Sequence, residues 1–132
     1  MLRRNRCRGA PVVSNAGLGI RSPWCALDQA AVQALHANPG VYELADAAGE
    51  TLLIGYAGGK SLFGLRGEVA KYLGHPQAAK FRSEQNMQYI SRWKELLMFF
   101  RSKTGALPAL NPANDAFGLG YLGPRNPGVS RD

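Results

Sequence analysis

The 132-residue chain has no stretch near the roughly 20 consecutive apolar residues that a membrane-crossing helix needs, so no membrane partner is expected and a cytoplasmic location is. Cysteine is nearly absent. Cys7 and Cys25 are the only two, and neither has the companions of a zinc site, so both are expected as free thiols in a reducing compartment. Acidic residues are scarce too: nine Asp and Glu face sixteen Lys and Arg, a net charge of +7, which makes polyanions the first partners to consider. There is no internal repeat. The 45% hydrophobic content suffices for one core and one domain.

The opening "MLRRNRCRGAPVVSNAGLGI" has the arginines of a secretory leader, but Ser14, Asn15 and scattered glycines break up the apolar run a leader requires. Residues 1–21 therefore read as a disordered basic arm in which Arg3, Arg4, Arg6 and Arg8 can meet backbone phosphates. The Gly/Pro-rich residues 112–132 read as a flexible tail, leaving 22–111 as the domain.

Within it, Ser22-Pro23 marks a helix start and Asn38-Pro39-Gly40 its end. Val41–Leu44 and Thr51–Tyr56 are rich in β-formers around the turn "ADAAGE", which predicts a β-hairpin. Leu62, Leu65, Val69, Tyr72 and Leu73 form one helical stripe, and Tyr89, Trp93, Leu96, Leu97 and Phe100 form another that Gly105 closes. A short strand is expected in "AAKFRSEQ". The order helix, hairpin, helix, strand, helix predicts a small α/β (α+β) domain.

"LLIGYAGGKSLFGLRGEV", residues 52–69, ends its apolar run in Gly-Lys-Ser, as a nucleotide-binding phosphate loop would. That loop needs four residues between its first glycine and the Gly-Lys pair, so that backbone amides can ring a phosphate. Gly55 to Gly59 leaves three. No nucleotide cofactor is expected, and the glycines then serve the strand-to-helix turn with Lys60 beside it.

Another arrangement fits better. Gly40-Val41-Tyr42, then Leu53-Ile54-Gly55 after about ten turn-forming residues, then Arg66 on a helix, Glu95 in "RWKELLMFF" and the ending "LPALN" at Asn111 together resemble the GIY-YIG nuclease family. The resemblance covers Gly40 to Asn111. It implies a three-stranded antiparallel sheet flanked by helices, and hydrolysis of phosphodiesters with one Mg²⁺ or Mn²⁺. By position Glu95 would hold the metal, Arg66 would clamp the phosphate through paired donors, and Tyr42 would orient water or phosphate. Nucleic acid is the implied partner, DNA ahead of RNA, with Lys60, Tyr89, Arg92 and Asn111 expected at its contacts and Glu84 as a further candidate.

Two positions depart from the pattern. Leu53 stands where the second triplet opens with a tyrosine, a candidate proton acceptor, and Tyr56 lies at an odd offset that points it to the other side of the strand. Ala70 stands where a His or Tyr follows the arginine by one turn, so Tyr72 and His75 are the residues left to reach in. Three readings stay open: an endonuclease, the same fold as an inactive nucleic-acid-binding or protein-interaction module, or a small basic structural protein of a nucleoprotein assembly. Each residue also has a plain structural role, with Glu95 and Arg66 as solvated helix residues, Tyr42 as a core aromatic and Asn111 as a turn residue before Pro112.

Overall fold

A computed structural model describes residues 19–120. Its elements are β1 (Cys25–Ala26), α1 (Gln29–Gln33), β2 (Gly40–Ala45), β3 (Thr51–Ala57), α2 (Gly64–Ala70), β4 (Lys80–Gln85) and α3 (Tyr89–Thr104), followed by a 3₁₀ turn (Ala113–Ala116). The strands form one antiparallel sheet in the order β1-β4-β2-β3. The hairpin expected from the sequence is its centre and one edge, and the strand expected in "AAKFRSEQ" is β4.

The sheet has four strands rather than three. The addition is the two-residue β1, whose Cys25 and Ala26 pair with Phe81 and Lys80. That pairing takes residues the sequence assigns to the first helix. Helix α1 instead starts after Asp28, whose carboxylate accepts the Ala31 N–H at 2.9 Å. A helix of five residues and a strand of two rely on tertiary pairing, which local propensity does not report.

Strand alternation sorts the core into two. Tyr42, Leu44, Leu53, Ala57 and Phe81 project to one face and pack with Val32, Leu65 and Val69 of α1 and α2. Val41 and Ile54 project to the other and pack with Ile20, Leu96 and Leu97, the last two from α3. Gly105 ends α3 at φ +91°, a backbone angle that glycine takes without strain, with its N–H on the Arg101 carbonyl. Burying one such aliphatic side chain contributes about 1.5–3 kcal/mol, so the two layers supply the main stabilisation.

The packed part is longer than residues 22–111. Ile20 is buried under α3 and Leu119 packs against the same cluster. The remainder of the expected arm and tail, residues 1–18 and 121–132, lies outside the described residues, as does Cys7. Cys25 is disulfide-bonded, not the free thiol expected. Among the described residues no helix is long and apolar enough to cross a membrane.

Candidate functional site

Tyr42 stands opposite Gly55 in the β2–β3 ladder, and its ring crosses that glycine: a Cβ added at residue 55 would lie 2.5 Å from the tyrosine hydroxyl. The ring packs beside Tyr72 with centroids 6.3 Å apart, and Tyr72 beside His75 at the same separation. Three of the expected catalytic residues are thus neighbours on the α1–α2 face. Tyr42 is only 3% exposed. Burial foremost, then the charges and hydrogen bond of Tyr72 and the charge of Glu68, push its hydroxyl far above the ordinary tyrosine range. It stays protonated at neutral pH and cannot act as a base there.

Leu53 projects into the same apolar cluster, and Tyr56, as strand parity predicts, turns to the opposite face. Arg66 is exposed on α2, its Nε donating to the Leu35 carbonyl at 3.0 Å. That bond ties the α2 start to the end of α1.

Glu95 is across the sheet. Register puts Glu84 opposite Val41, on the α3 face, and Arg92 grips both its oxygens, at 2.8 and 3.0 Å. The same guanidinium reaches Glu95 at 2.7 Å and the Gly19 carbonyl at 3.2 Å. Arg92 is 14% exposed, Glu95 39%. Arg92 therefore joins β4, α3 and the segment before β1, and sheet and core separate Glu95 from Tyr42 and Arg66. Burial raises the Glu84 carboxyl, but Arg92 and Asn86 outweigh it and hold the group below its ordinary value.

One oxygen of Glu95, the expected metal ligand, is held by Arg92, and among the described residues there is no group of three or more His, Cys, Asp or Glu that could hold a metal.

Asn111 is used internally. Its side-chain oxygen accepts the Ile54 N–H and its amide donates to the Ile54 carbonyl, both at 2.9 Å, so one amide replaces a missing strand neighbour at the β3 edge. The amide also donates to Asp115. The glycine-rich turn is occupied as well. The Gly58 N–H goes to Ser61 Oγ and the Gly59 N–H to the Tyr89 hydroxyl, each at 3.1 Å, so two amides that a phosphate loop would turn to its ligand have partners in the protein. Lys60 beside them is exposed.

Two features of the α3 face are not evident from the sequence. Glu43 is buried beneath α3, accepting from Thr51 at 2.6 Å and from Arg82 Nε at 2.8 Å, and Arg82 lies over the Trp24 ring. Tyr56, Tyr89 and Trp93 gather at the β3 edge, with Tyr56 stacked on Tyr89 at 5.7 Å and edge-on to Trp93 at 5.0 Å. Both follow from the period-2 parity of β2, β3 and β4 once α3 is known to cover that face; nothing local says that it does.

Fold and site together define a small α+β domain with a four-stranded antiparallel sheet between a helix pair and one long helix. The chain belongs to the family of the domain of unknown function DUF7508, whose model matches residues 18–103. No curated protein and no solved structure matches it.

Proposed function

We propose that this domain is a nucleic-acid-binding module of GIY-YIG-like descent that holds its partner without cutting it. The observation carrying this reading is the sheet that stands between Tyr42 and Arg66 on one side and Glu95 on the other. Metal-assisted hydrolysis needs a carboxylate-held cation, a phosphate clamp and a proton acceptor within a few ångströms of one phosphorus. Here the clamp and the carboxylate face apart, the expected tyrosine of the second triplet is Leu53, and Tyr42 is too buried to take a proton.

Binding rests on charge. Ten of the sixteen basic residues and eight of the nine acidic ones lie between residues 19 and 120, so that part carries only +2 of the +7. The excess sits in the flanks, above all at Arg3, Arg4, Arg6 and Arg8. Such short basic segments grip phosphates with little sequence preference, and DNA is the first ligand to try.

The test is fluorescence anisotropy with labelled DNA and RNA across a salt series. The proposal expects affinity to fall steeply with salt. Replacing Arg3, Arg4, Arg6 and Arg8 by alanine should lower the log–log slope by up to about 3–4, near 0.9 for each phosphate no longer neutralised. Absence of binding at low salt would defeat the reading.

A further inference from the structure

The β3 edge carries an aromatic cluster in which Tyr89 and Trp93 pack against the α3-side core and Tyr56 lies outermost. Trp93 Nε1 donates to the Ile54 carbonyl at 2.9 Å and the Tyr89 hydroxyl accepts the Gly59 N–H, so two of the three rings are fixed from behind. Tyr56 rests on both rings and is 38% exposed, with no hydrogen bond at its hydroxyl among the described residues. The glycine turn lies flat against the group, because a Cβ at Gly58 would run into the Tyr89 ring. Lys60, in the turn after β3, and Lys94, next to Trp93 on α3, are exposed. The carboxylates nearby are engaged: Glu95 is paired with Arg92, and Asp115 accepts from the Asn111 amide.

We propose that Tyr56, held by Tyr89 and Trp93 and flanked by Lys60 and Lys94, is a stacking platform for the bases of single-stranded nucleic acid. The proposal rests on the nucleic-acid-binding reading above and adds the form of the ligand. A base presents a π-face only where it is unpaired; in a duplex the neighbouring pairs cover it. A ring already fixed by its neighbours binds without the entropy cost of ordering it, and the adjacent ammonium groups suit the phosphates between bases. A purely apolar partner would leave the ammonium groups of Lys60 and Lys94 against uncharged surface, at a desolvation cost.

The experiment titrates the full chain with a labelled oligothymidylate and with a duplex of equal length, following anisotropy and tryptophan fluorescence. Tyr56→Ala should weaken single-strand binding about tenfold and leave duplex binding within about twofold, while Tyr56→Phe, which keeps the ring, should bind as the wild type does. Lys60→Ala, at an exposed turn, gives a second variant that leaves the rings in place and should weaken binding about threefold at low salt. A wild type that binds neither probe overturns the nucleic-acid reading and the platform with it. A wild type that binds, with Tyr56→Ala equally tight on the single strand at an unchanged melting temperature, overturns the platform alone. Equal losses on both probes overturn the preference for single strands.

Discussion

The two faces of the sheet are built on different principles. On the α1–α2 face the strands present Tyr42, Leu44, Leu53, Ala57 and Phe81, and the one polar group among them, the Tyr42 hydroxyl, lies over a glycine that leaves it just enough room. On the α3 face Val41 and Ile54 are interspersed with Glu43, Arg82 and Glu84, each carboxylate is met by an arginine, and an aromatic cluster stands half open at the edge. A sheet closed on one side by apolar packing and on the other by an apolar core bordered with ion pairs and open aromatics divides its residues between stability and contact. The expected catalytic set is split by that division.

The largest effect is expected on the packed side. A Cβ at Gly40 would collide with the Glu84 carbonyl of the neighbouring strand and approach Leu65, and the backbone cannot yield as a side-chain tip can. Gly40→Ala should cost about 3 kcal/mol in urea unfolding, the upper end for overpacking; a cost under about 1 kcal/mol would mean the face is looser than described. On the ionic side, Arg92→Met leaves two carboxylates and the Gly19 carbonyl without their donor. It should cost about 2 kcal/mol, below the penalty for breaking a fully buried pair because Glu95 is well exposed. Pairing it with Glu84→Gln in a double-mutant cycle should recover part of that stability.

Tyr42→Phe should cost only about 1 kcal/mol, the hydroxyl being a core hydrogen-bonding group, and should leave nucleic-acid affinity unchanged in the anisotropy assay. The smallest effect depends on pH. Because the folded state holds Glu84 below its ordinary value of 4.5, the group contributes stability above that pH and loses it as pH falls through the depressed folded value. The melting-temperature difference between wild type and Glu84→Gln should be greatest near neutrality and close progressively below pH 4.5. A gap that widened on acidification would reverse the assigned direction.

Much of this architecture was legible in the chain. The hairpin and α3 follow from alternation and a strong helical stripe, and the opposed directions of Leu53 and Tyr56 follow from their odd offset along β3. Strand β1 was not legible, because two residues have no pattern and gain their conformation from β4. Nor was the partition of the site. The order Tyr42, Arg66, Glu95 along the chain is the same whichever face α3 covers, and side-chain convergence depends on that choice. Asn111 shows the same limit: its place after Pro108 was readable, but its two bonds to Ile54 belong to the tertiary fold.

The central claim, a fold that holds nucleic acid without hydrolysing it, is tested most directly by incubating the full chain with single-stranded, nicked and branched DNA in Mg²⁺ or Mn²⁺ at concentrations where anisotropy reports binding. The account predicts complexes in which the strands stay intact. Cleavage that Glu95→Ala abolishes would contradict it, since that carboxylate would then have to meet Arg66 and Tyr42 at one phosphate.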